Sequence, residues 1–120
     1  MPYSWFVTIP PRTIVETASY LSSAKGVLSD EDRVAVIDMI AADPTCGDLI
    51  VGGGGVRKVR FALGNRGKSG GARIIYLHHG DDYPVFLFVA YAKSVRTNLT
   101  KAQTLALAAA AKRIIDTYGA

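Results

Sequence analysis

The chain has 120 residues, 49% of them apolar and 20% charged, which is ordinary for one globular domain able to bury a core without disulfides or metal. One cysteine, Cys46, excludes an internal disulfide, and it has no neighbouring Cys/His cluster to suggest zinc. The longest apolar run, Pro84 to Ala92, is far short of the ~20 residues of a membrane helix, and the N-terminus lacks a signal-peptide pattern, so no membrane role and a reducing cytoplasm are expected. The formal charge of +4 is unevenly spread. Between Leu49 and Gly80 there is no Asp or Glu, yet Arg57, Lys58, Arg60, Arg66, Lys68 and Arg73 all fall there. Cations gathered on one surface build a potential that attracts polyanions.

In chain order, Tyr3 to Ile9 reads as a short strand ended by Pro10-Pro11. Arg12 to about Ala24 reads as a first helix with Ile14, Ala18 and Leu21 on its buried face, closed by Lys25-Gly26. Ser29 then caps a second helix. Asp30, Glu31 and Asp32 sit at its positive end as a cap rather than a metal site, and Val36, Ile37, Ile40 and Ala41 form its apolar stripe. Asp43-Pro44 stops it, and Cys46 lies in the following turn as an inert, packed or semi-exposed thiol.

Asp48 to Gly55 is expected to be a glycine-rich loop and Val56 to Leu63 a strand. Alternation places Val59, Phe61 and Leu63 on one face of that strand and Lys58, Arg60 and Ala62 on the other. Gly64 to Gly71 forms a turn, Ala72 to Leu77 a further strand, and Val85 to Tyr91 a strand apolar enough to be buried on both faces. Thr100 and Gln103 match a capping box opening an alanine-rich helix to about Thr117, with Leu107, Ala111, Ile114 and Tyr118 as its buried stripe. The expected fold is one α+β domain over residues 1–120, a small antiparallel meander packed with N-terminal helices and a C-terminal helix.

Three constellations bear on chemistry. Gly67-Lys68-Ser69 resembles the end of a nucleotide-binding loop, but Ala62 stands where that motif needs glycine and a strand follows where it needs a helix. His78 and His79 are adjacent, so they point to opposite strand faces, and a strand-end role is expected. Lys58 and Arg60 share a face that Arg73 reaches if the next strand pairs, which suits either phosphate binding or a solvated sheet face.

The series Leu28-Ser29-Asp30-Glu31, Asp43-Pro44-x-x-Gly47-Asp48-Leu49-Ile50, Gly54-Gly55-Val56-Arg57-Lys58-Val59-Arg60, Gly67-Lys68-Ser69-Gly70-Gly71-Ala72-Arg73-Ile74-Ile75-Tyr76, Tyr91-Ala92-Lys93 and Asn98-Leu99-Thr100 resembles the RelE/HigB superfamily of type II toxins, a RelE/ParE-like fold. The resemblance implies a ribosome-dependent mRNA endonuclease that cuts the A-site codon by 2′-hydroxyl attack and needs no cofactor or metal. It implies Lys58, Arg60 and Arg73 as catalytic residues. Lys58 would be general base or 2′-oxygen stabiliser, with both arginines on the scissile phosphate. Arg57, Arg66, Lys68, Lys93, Arg96 and Tyr91 would contact RNA or the ribosome. Ser94 and Thr100 depart from the RelE pattern, which has an arginine and a tyrosine there. Arg96 and Tyr91 are the available substitutes, and the general acid and base-stacking partner stay unassigned. The implied partners are the small ribosomal subunit with mRNA and a cognate HigA-like helix-turn-helix antitoxin, through which DNA is reached only indirectly. A ParE-like gyrase inhibitor, or a binding module without catalysis, is the alternative that the shared fold leaves open.

Overall fold

The computed structural model describes residues 13–63, 71–96 and 98–119. The expected strand Tyr3 to Ile9 and the turn cations Arg66 and Lys68 lie outside these residues. The elements are β1 (Ile14–Glu16), α1 (Ala18–Ala24), α2 (Asp30–Ala42), β2 (Asp48–Leu49), β3 (Val56–Phe61), β4 (Ala72–Leu77), β5 (Val85–Ala92) and α3 (Lys101–Gly119). They form a five-stranded sheet of order β1-β5-β4-β3-β2. The α+β class and the antiparallel run β3-β4-β5 agree with the sequence. The sheet is mixed rather than a pure meander, because β1 adds parallel to β5 and β2 adds antiparallel to β3.

β1 corrects the first expected helix. Ile14 and Val15 are β-branched and pair with Val85 and Phe86, and the helix begins only after Thr17. Thr17 Oγ1 caps α1 by accepting from the Tyr20 amide at 3.2 Å and donates to the Leu87 carbonyl at 2.7 Å. The later start also shifts the buried face: Tyr20 and Ala24 enter the core, while Ala18 and Leu21 are exposed. Phe88 is an extra residue on β5, since Ile75 pairs with Val89 and Tyr76 with Leu87. α1 satisfies the backbone there, with Ser19 Oγ donating to the Phe88 carbonyl at 3.0 Å and the Ala90 amide donating to Ser23 Oγ at 2.9 Å.

α2 opens with a reciprocal capping box. The Asp32 amide donates to Ser29 Oγ and the Ser29 amide to Asp32 Oδ2, each at 3.0 Å, so the acidic cluster is a cap as its position in the sequence suggests. The fork of Arg33 on Glu16, with two bonds of 3.0 Å, ties α2 to β1.

The sheet separates two cores. Tyr20, Val36 and Ile40 pack with Ile74, Tyr76 and Leu87 on one side, joined by Val59, Phe61 and Leu63 as alternation requires. On the other side Val56, Ile75, Leu77 and Phe88 pack with Ala111, Leu107 and Ile114 of α3. The α3 cap is as expected, with the Gln103 amide donating to Thr100 Oγ1 at 3.1 Å and the Thr100 amide to Gln103 Oε1 at 2.8 Å. Tyr118 departs from the expected stripe: it is exposed and meets Phe86 edge-on, with ring centroids 5.6 Å apart. No helix among the described residues is long and apolar enough to cross a membrane.

Candidate functional site

α3 covers only part of its sheet face. Beyond Val56 and Ile75, the same face carries Lys58, Arg60 and Arg73. Pairing sets Arg60 directly opposite Arg73, and Arg73 opposite Tyr91 on β5. These three sequence candidates line one open cleft of about 490 Å³ together with Lys93, Asn98, Val59, Asp48 and Cys46. Directly paired residues of neighbouring strands project to the same side, so the β3–β4 pairing adds Arg73 to the Lys58 and Arg60 face that alternation gives.

Arg73 is 94% buried at 6% exposure, and its Nη1 donates to the Ala72 carbonyl at 3.2 Å, so its guanidinium is held rather than waving in solvent. Lys58 is half-buried, and its Nζ donates to Asn98 Oδ1 at 3.4 Å. Lys93 is brought in because its amide donates to the Gly71 carbonyl at 2.9 Å. That contact needs glycine at 71. Its φ is +53°, and a Cβ would lie 2.5 Å from the Phe61 carbonyl oxygen.

The remaining sequence candidates sit elsewhere. Arg57 is on the opposite face of β3, where its Nη1 donates to the Gly47 carbonyl at 2.7 Å. Tyr91 is buried at 5% exposure beside Arg73 and is not among the residues that line the cleft. Burial pushes its phenol up from the ordinary range, against the opposing charges of Arg73 and Arg96. The Arg96 guanidinium lies over the Tyr91 ring, 5.2 Å from its centroid. His79 packs on Tyr83 with centroids 4.7 Å apart, past the end of β4 remote from Arg73.

Asp48, Asn98 and Cys46 were missed from the sequence. The glycine run Gly52 to Gly55 was the available signal. A tight reversal centred on it pairs Asp48 with Lys58, so the expected loop is in part a strand and the cationic cluster gains a carboxylate. Cys46 is an exposed free thiol, 3.6 Å from Tyr76 Oη. Among the described residues no cluster of three or more His, Cys, Asp or Glu is placed to hold a metal.

The family model described as "RelE toxin of RelE / RelB toxin-antitoxin system" matches residues 13–119. Among solved structures the chain is similar to the E. coli toxin RelE, a double arginine-to-alanine mutant in the free state. The TM-score is 0.54 at 15% identity, over 88% of this chain and 99% of that one, a likeness of fold. The protein is therefore a toxin of a toxin–antitoxin system, with an antitoxin as its partner. The chain belongs to the RelE toxin family.

Proposed function

We propose that this toxin is a ribosome-dependent mRNA endonuclease, an mRNA interferase, with the basic cleft as its active site. The observation that carries the proposal is the convergence of Lys58, Arg60, Arg73 and Lys93 on one cleft, with the two arginines in direct register. Two cations in direct register raise the local positive potential, which favours an anion seated between them. Guanidiniums present forked donors that match phosphate oxygens, so Arg60 and Arg73 clamp the scissile phosphate and stabilise the charge it gains on attack. Lys58 lies one pleat away on the same strand face and stabilises the attacking 2′-oxygen. The 5′-oxygen then leaves. Lys93 at the rim holds a flanking phosphate. Arg96 acts through Tyr91, the cross-strand neighbour of Arg73.

In this reading the ribosomal A site presents the mRNA in the cytoplasm. A HigB-like pairing supplies a HigA-like helix-turn-helix antitoxin, and DNA is contacted only through it. Primer extension on a translated message after induction tests the function. Cuts within codons that vanish when the start codon is removed are expected. Intact mRNA beside accumulating gyrase-cleaved DNA would replace this reading with ParE-like gyrase inhibition.

A further inference from the structure

We propose that Asp48 is the general base of the cleft, taking the proton of the 2′-hydroxyl whose oxygen Lys58 stabilises. The assignment rests on the RNA-cleaving reaction proposed above and goes further by naming the group that accepts the proton.

Asp48 is the carboxylate among the described residues that line the cleft, and it is the cross-strand partner of Lys58. Carboxylate and ammonium therefore rise side by side from β2 and β3 on the cleft face. None of the ion pairs among the described residues involves Asp48, and Lys58 Nζ is directed to Asn98 Oδ1. Asp48 is exposed and lines the cleft.

Its position is also built. The preceding Gly47 is fastened from the far side of the sheet, its amide donating to Tyr76 Oη at 2.9 Å and its carbonyl accepting from Arg57 at 2.7 Å. Tyr76 Oη donates onward to the Pro44 carbonyl at 2.8 Å. A Cβ at position 47 would lie 2.9 Å from the Lys58 carbonyl oxygen, so the segment lies flat on β3. A solvating aspartate on a free loop needs none of these ties.

The chemistry separates two tasks. A lysine takes a proton only in its neutral form, and in that form it no longer supplies the positive charge that stabilises a 2′-oxyanion. An ionised carboxylate is an acceptor already, so Asp48 and Lys58 together do what neither does alone. In the step, the 2′-hydroxyl proton moves to an Asp48 oxygen and the 2′-oxygen bonds to phosphorus. The bond from phosphorus to the 5′-oxygen breaks, and the 5′-oxygen takes a proton from solvent. The products are a 2′,3′-cyclic phosphate and a free 5′-hydroxyl, and Asp48 later returns its proton to solvent.

The test uses purified toxin on mRNA-programmed ribosomes. Cleavage is followed in single turnover, and binding is measured with a message carrying 2′-deoxyribose at the scissile nucleotide. For Asp48→Asn the cleavage rate is expected to fall by about 10²–10⁴-fold. Binding of the uncleavable complex is expected to stay unchanged or tighten, because a negative charge has left a cationic cleft. Asp48→Glu keeps a carboxylate and is expected to retain part of the rate. Cleavage by Asp48→Asn at the wild-type rate overturns the assignment and leaves the RNA-cleaving reading intact. Weakened binding in both variants overturns it in favour of a structural role. Wild-type toxin that leaves the message uncut overturns both.

Discussion

Two halves of one sheet face carry opposite chemistry on the same backbone. Val56, Lys58 and Arg60 share one face of β3, and Leu77, Ile75 and Arg73 share the matching face of β4. At the Val56 and Leu77 end α3 covers the strands and every side chain is apolar and buried. Its alanines permit that approach: a Cβ at Gly54 would lie 3.5 Å from Ala108. At the Arg60 and Arg73 end no helix among the described residues covers the strands, and cations line an open cleft. The covered half supplies stability through buried apolar area, while the open half gathers cations whose combined potential attracts an anion. The proposed site in this fold is thus set by where the helix lies over the sheet.

Substitutions break the two halves apart. The largest effect is expected for Leu77→Ala, which opens a cavity under α3 and costs about 2–5 kcal/mol. A lowered urea midpoint checks it, and toxicity falls only as far as the folded population does. Lys58→Ala is expected to give the reverse pattern. Its unfolding free energy stays within about 0.5 kcal/mol of wild type, while cleavage falls by about 10²–10³-fold. A Lys58→Ala protein that unfolds early, or that remains fully toxic, would erase the division between a stabilising half and a working half.

The smallest effect belongs to the other face of the sheet. Burial, aided by the Glu16 charge, pushes the Tyr20 phenol up to about 12. A folded-state value above the ordinary ~10 means the stabilisation is complete below pH 10 and is lost as pH rises through about 12. Tyr20→Phe removes that loss and shifts the alkaline unfolding midpoint upward, read by circular dichroism. At neutral pH its stability changes by about 1 kcal/mol or less, because the hydroxyl is buried without a hydrogen-bond partner. Its toxicity matches wild type, since the opposite face holds the cleft.

Local patterns were legible where chemistry and backbone period agree. The two capping boxes at Ser29 and Thr100 follow from side-chain reach, and strand period two puts Lys58 and Arg60 on one face with Val59 and Phe61 on the other. Bringing Arg73 to the candidate pair Lys58 and Arg60 needed only the further pairing of β3 with β4. The first helix was misjudged because a proline-led start and the spacing of Ile14, Ala18 and Leu21 fit a helix as well as a strand joined to a shorter helix. The free edge of β5 settled it, by offering Ile14 and Val15 a parallel partner.

Which side chains share a strand face, that Ser29 and Thr100 cap their helices and that cations dominate the stretch after Leu49 can all be read along the chain. Those are local properties, set by the backbone period and by bonds across a few residues. The packing of distant segments, by contrast, brings Arg57 to the Gly47 carbonyl and Asn98 into the cleft. It also sets Tyr91 across from Arg73 and Asp48 beside Lys58. Each of these depends on which strand pairs with which and where α3 comes to rest, contacts between residues far apart in the chain that no local period encodes.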